Sequence, residues 1–138
     1  MDRCLLDTSA LSDVILPTSR RAPAVARNLA DYLRSHSRLT FSEVTCFEIL
    51  RGLRKKMALA QERQFLQFCT HCELVPITYD VLDRAASLWA TGRRQGIVVD
   101  DGDLIIASTA LLRNVALVTA NTKHFHWISG LMLLNWRD

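Results

Sequence analysis

The chain alternates short apolar runs with longer stretches whose apolar residues recur every three or four positions. The run "RCLL" at residues 3–6 predicts a strand that stops at Asp7, and "TSALSDVIL" a helical turn that Pro17 ends. In "APAVARNLADYLRSH", Val25, Leu29, Tyr32 and Leu33 mark one helical face, and a strand at "RLTF" follows. Ser42 is placed to cap the helix "EVTCFEILRGLRKK", and "LAQERQFLQFC" predicts another. "ELVPI" is the third strand; Thr78 or Asp80 then starts "VLDRAASLWATGRRQ", which Gly96 terminates. "DLIIASTALLRN" is apolar nearly all round, the mark of a buried helix, and Asn114 ends it. "VALVT" predicts a fourth strand and "MLL" a short last one.

Strands separated by helices predict an α/β fold in which a mainly parallel sheet is flanked by helices on both sides. Ligands of such sheets sit beyond the carboxyl ends of the strands, where the strand order reverses. The polar residues directly after strands are therefore candidates for chemistry: Asp7, Thr8 and Ser9 after the first, Thr119 and Asn121 after the fourth.

Composition narrows the class. The 138 residues are 49% hydrophobic and 22% charged, as in a folded globular protein, and one core over residues 1–138 is expected. The longest nearly apolar run, residues 104–112, is too short to span a bilayer, and the N-terminus has no charged leader followed by a long apolar stretch. A cytoplasmic protein without a membrane partner is expected. The net charge of +3 is mild, but positive charge gathers at Arg20 and Arg21, at Arg51, Arg54, Lys55 and Lys56, and at Arg93 and Arg94. Such groups permit a polyanionic partner and equally occur as solvated surface. Cys69 and Cys72 in "CTHC" lack the second pair that a structural zinc site needs, and they close a helix where a redox pair would open one. His124 and His126 in "HFHW" are expected at the surface or in packing.

The acids carry more information. Asp7 alone reads as an N-cap. Glu48 sits between Phe47 and Ile49, one turn after Val44 and one turn before Gly52, where a carboxylate is costly unless paired. Arg51, three residues on, is the structural partner to weigh, while Gly52 leaves the same face bare. In "DDGDLIIAS" the acids Asp100, Asp101 and Asp103 crowd the mouth of the buried helix, more than capping requires. If Asp7, Glu48 and Asp103 meet at about 5 Å, each pair repels by roughly 3 kcal/mol at an effective dielectric near 20, so something positive is needed. A hard divalent cation, Mg²⁺ or Mn²⁺, is the simplest candidate, because the chain supplies oxygen ligands and no convincing His or Cys set.

Taken together, "LLDTSALS", "EILRG", "DLIIASTALL", "LVTANTKHF" and "LLNW" resemble a PIN-domain ribonuclease, specifically a VapC-type toxin of a bacterial toxin–antitoxin pair, over residues 3–136. The resemblance implies a PIN-like three-layer fold, with Asp7, Glu48 and Asp103 as metal-binding catalytic acids. It implies polar neighbours at Thr8, Ser9 and Thr119, and Asn121 where many members carry a fourth acid. Asp100 and Asp101 are outer-shell acids or exposed loop charges. It further implies hydrolysis of RNA, a VapB-like antitoxin and a homodimer. The cluster Arg51, Arg54, Lys55 and Lys56 either guides the RNA backbone or is a solvated helix end. Two other readings compete. A receiver-like phospho-acceptor domain would use Thr119 and Lys123 but lacks an acceptor aspartate at the end of "ELVPI"; a non-catalytic PIN-fold binding module would have no use for all three acids.

Overall fold

The computed structural model describes residues 1–16 and 20–138. Pro17, expected to end the first helix, lies outside them. The elements follow in the order β1 (Cys4–Leu6), α1 (Thr8–Ile15), α2 (Ala22–Ser35), β2 (Thr40–Ser42), α3 (Glu43–Lys55), α4 (Leu59–Cys69), β3 (Glu73–Val75), α5 (Tyr79–Arg94), α6 (Asp101–Arg113), β4 (Ala116–Val118) and β5 (Leu133–Leu134). A 3-10 turn at Thr122–His124 precedes β5.

The five strands form one sheet in the order β3-β2-β1-β4-β5, and every pairing is parallel. Leu6 pairs with Phe41 on one side and Val118 on the other, so β1 is the central strand. Strands this short stay in register because alternate residues feed opposite cores. Cys4, Leu6 and Val118 pack with Leu11, Tyr32, Ile49, Leu53 and Phe65 from α1 to α4. Leu5 and Leu117 point the other way, onto Ile106, Ala107 and Ala110 of α6 and Leu88 of α5. The result is the expected three layers.

Local signals set the boundaries. Ser42 caps α3 by accepting from the Val44 N–H at 3.1 Å, and Thr78 caps α5 through the Val81 N–H at 3.4 Å. Asn114 closes α6 in the left-handed conformation (φ 54°), and Gly96, with φ +74°, follows α5. One boundary differs from expectation. α6 begins at Asp101 with Asp100 in the cap position, so Asp103 lies inside the first turn instead of opening the helix.

Strand order reverses at β1, with β2 on one side and β4 on the other. The Asp7 N–H donates to Val118 O at 2.9 Å, which carries the β1–β4 ladder one residue past the strand and fixes the backbone of Asp7 in the crevice. Among the described residues no helix is long and apolar enough to cross a membrane. All four cysteines are free thiols; burial pushes those of Cys4 and Cys72 up to about 11 and that of Cys69 to about 12, so they serve as packing groups.

Candidate active site

Asp7 is buried, and hydrogen bonds from the elements around it orient its carboxylate. Oδ1 accepts from the Ala10 N–H at 2.8 Å, capping α1, and from Ser9 Oγ at 2.7 Å. The Thr119 hydroxyl donates to the same carboxylate and in turn accepts from the Asn121 N–H at 2.9 Å. Ser9 Oγ also accepts from the Ala120 N–H at 3.0 Å, tying the start of α1 to the end of β4. Burial raises the pKa of Asp7, opposed by the hydrogen bonds from Ser9, Thr119 and the backbone.

Glu48 reaches the same edge from α3. Thr8 Oγ1 donates to Glu48 Oε1 at 2.5 Å and lies 3.1 Å from the buried Thr45 hydroxyl one turn before Glu48. The other oxygen, Oε2, is 3.6 Å from Arg51 Nη2, so the expected i,i+3 pair exists, but Arg51 is well exposed and its guanidinium also lies over the Phe47 ring. An exposed pair of this kind contributes about 0–1 kcal/mol. The glycine that makes room for Glu48 is Gly102, not Gly52. A Cβ at Gly102 would stand 2.7 Å from Glu48 Oε2, whereas one at Gly52 would meet nothing within 4 Å. Gly52 therefore leaves open surface, and the close approach runs between α3 and the start of α6.

Asp103, the next residue, completes the set. Burial and then the charge of Asp7 push its carboxyl up to about 6; Glu48 adds to the rise, and His124 opposes it. His124 Nδ1 lies 3.4 Å from Asp103 Oδ2, an ion pair when the imidazole is protonated. His124 is thus a surface residue, as expected, that also touches a site acid. Only its place in the fold reveals this, since the 3-10 turn after β4 carries it back over α6. The acids of "DDGD" divide: Asp103 turns inward, while Asp100 and Asp101 are exposed, Asp100 without a side-chain capping bond.

Three acids, from the β1–α1 junction, α3 and α6, thus share one edge, yet among the described residues no three His, Cys, Asp or Glu side chains are gathered tightly enough to ligate a metal as they stand. The chemistry of the donor set nevertheless suits a hard cation: carboxylate oxygens, with the charges of Asp7 and Glu48 adding to the rise of Asp103, and hydroxyls beside them. Of the basic residues on α3, Arg51, Lys55 and Lys56 are exposed; Arg54 is also exposed but is held by Glu62 of α4 at 3.2 Å. The side chain of Asn121 is exposed, and its backbone N–H is the group that serves the site, through Thr119.

The PIN domain family matches residues 4–129. The chain belongs to the PIN-domain family. Within it, ribonuclease VapC19 of Mycobacterium tuberculosis is 30% identical over 121 residues, 88% of this chain and 90% of that protein. Ribonuclease VapC2 of Rickettsia felis is 27% identical over 110 residues, 79% of this chain and 82% of that one. In fold, this PIN domain is like a chain of the Rickettsia felis VapBC2 complex bound to a DNA fragment from its promoter, with TM-score 0.83 and 24% identity over 98% of this chain and 99% of that chain. It is also like a chain of the VapBC-1 complex of nontypeable Haemophilus influenzae, with TM-score 0.83 and 23% identity over 99% and 100% of the two chains.

Proposed function

We propose that this PIN domain is a metal-dependent endoribonuclease, the toxin of a type II toxin–antitoxin pair, and that Asp7, Glu48 and Asp103 hold Mg²⁺ or Mn²⁺ at its catalytic centre. The observation that carries the reading is the close approach of α3 to α6, where Gly102 admits Glu48 beside the residue preceding Asp103 while Thr8 ties Glu48 to the residue following Asp7. A lone structural ion pair on α3 has no need of either contact. The curated relatives named above are ribonucleases, which supports RNA as the substrate.

When bound, a divalent cation supplies Lewis acidity toward a phosphate oxygen and a water that loses its proton near neutral pH. The rest is the work of the chain. Ser9, Thr119 and the Ala10 N–H fix Asp7 in one orientation, and Thr8 fixes Glu48. Burial and then the charge of Asp7 raise the Asp103 carboxyl to about 6 in the metal-free protein, so it would be held in the ionised form that ligation needs once a cation is bound. His124 beside it supplies a ring N–H toward Oδ2. Arg51, Lys55 and Lys56 attract the phosphate backbone to this edge; Arg54 takes a smaller part because Glu62 occupies it. The solved likenesses are toxin–antitoxin complexes, which supports a small antitoxin partner whose arginine fork suits the acids. A second copy of the chain and a cytoplasmic location complete the reading.

Incubation with total RNA in magnesium and in EDTA, followed by mapping of the new ends, tests the activity. Discrete cuts only with the metal are expected. Intact RNA under both conditions would leave a PIN fold without this chemistry. Co-expression with the neighbouring reading frame tests the toxin role separately, with an inactive co-purifying complex as the expected product.

A further inference from the structure

Beside the acids the surface opens into a cavity of about 270 Å³, just under the roughly 300–1,000 Å³ usual for small-molecule sites. The segment 97–100, between α5 and α6, forms one wall; Lys123, His124 and Trp127 form the other, and Asp103 borders both the cavity and the acidic edge. The assigned chemistry uses only Asp103 and His124 of this lining, so the rest of the cavity has no role in it.

Its construction is specific. Val98 and Val99 lie outside any helix or strand, and among the described residues nothing hydrogen-bonds their backbone N–H or C=O groups. Val98 is 74% exposed. Opposite, the Trp127 indole N–H donates to His124 O at 2.9 Å, and its ring packs on Gly92 of α5, where a Cβ would stand only 3.1 Å from Cη2. The aromatic wall is therefore held in place, and Lys123 sets an exposed positive charge beside it.

We infer that this cavity receives one nucleobase of the RNA, that of the nucleotide flanking the phosphate cut at Asp103, and that base identity is read there. The inference rests on the ribonuclease reading. A base is flat and apolar on its faces and carries donors and acceptors on its edge. The cavity offers aromatic and valine surface for the faces. The unpaired backbone groups of Val98 and Val99 and the exposed Asp100 carboxylate offer partners for the edge. Lys123 attracts the phosphate that accompanies a base, whereas it opposes the guanidinium of an arginine from a protein partner.

The test uses the magnesium-loaded protein and an oligoribonucleotide it cleaves, with two versions that carry an abasic ribose on one or the other side of the cut. Loss of the base on one side should raise KM at least tenfold while changing kcat less. Val98→Trp fills the cavity from an exposed position; with its melting temperature unchanged, it should show a raised KM and treat intact and abasic substrates alike. Without catalysis, in EDTA, nucleoside 5′-monophosphates should quench the tryptophan emission of the wild type and not that of Trp127→Phe. Equal cleavage of all three substrates by the wild type, or Val98→Trp with wild-type KM and base preference, overturns the subsite and leaves the ribonuclease standing. Quenching by an arginine peptide and not by nucleotides gives the cavity to a protein partner. A wild type that cuts no RNA removes the ribonuclease reading and this inference with it.

Discussion

Thr8 Oγ1 donates to Glu48 Oε1 across 40 positions of sequence, joining the first residue of α1 to the middle of α3. Thr8→Val keeps the shape and removes the donor, so Glu48 keeps its charge and loses its strongest restraint. Cleavage is expected to fall about 10- to 100-fold, in line with roughly 1.4–3 kcal/mol for a hydrogen bond to a charged group. Thr8→Ser should restore most of it. Initial rates on a fixed RNA, beside thermal melts, decide; full activity in Thr8→Val would mean that Glu48 needs no positioning.

Gly102→Ala separates stability from chemistry. Alanine favours a helix over glycine by roughly 0.5–1 kcal/mol. Here its methyl would press on Glu48 Oε2, the movable end of a side chain. The melting temperature should stay within a few degrees while cleavage drops at least tenfold. An active Gly102→Ala protein would show that the gap between α3 and α6 is not required.

Glu48→Gln against Arg51→Ala weighs the site against the surface ion pair. The pair at 3.6 Å involves a largely exposed arginine, so its loss should cost under about 1 kcal/mol and leave kcat nearly unchanged. Glu48→Gln should fold normally and lose cleavage by two orders of magnitude or more. Similar, modest losses in the two variants would reduce Glu48 to a partner of Arg51.

For Asp103 the pH dependence has a definite sign. Its carboxyl is raised from 3.8 to about 6 in the folded protein, so between these values the folded chain holds a proton that the unfolded chain has released. Stability from this group therefore falls as pH rises through the window, and the full penalty stands above about 6. At pH 7 without metal, Asp103→Asn should melt several degrees higher, a gain on the order of 1–2 kcal/mol, and the gap should close as pH falls toward 4. Magnesium should narrow the gap by stabilising the wild type more. An equal melting temperature for both proteins from pH 4 to 7.5 would mean that neither burial nor the charge of Asp7 penalises the Asp103 carboxylate, and would take away this support for the proposed metal site.

Much of this was legible in the chain. Apolar periodicity placed the elements to within a few residues, because the inner strands β1 and β2 are buried runs and the helices turn apolar faces toward the two cores. Asp7 and Thr119 were legible as polar residues that end strands of a parallel sheet. What stayed hidden depends on distance in space. Gly52 and Gly102 are equally bare in sequence, and only packing shows which of them faces Glu48. His124 meets Asp103 because a turn after β4 folds over α6. Arg54 is drawn off by Glu62, which arrives from the next helix. Phe65 and Trp89 look alike as large apolar residues on helices, yet one is buried and the other exposed.

The central place of β1 bears on how the protein is made. β1 is translated well before the strand that flanks it on the far side, β4, and the Asp7 N–H finds its partner only in Val118. Asp103 and Thr119 likewise come late. A nascent chain that stops before β4 has Asp7 at an open sheet edge, and the nuclease proposed above would have no assembled acid site until β4 docks. On the proposed toxin reading, closure of the sheet would be the arming step, and an inhibitor already present in the cell would have until then to meet the chain.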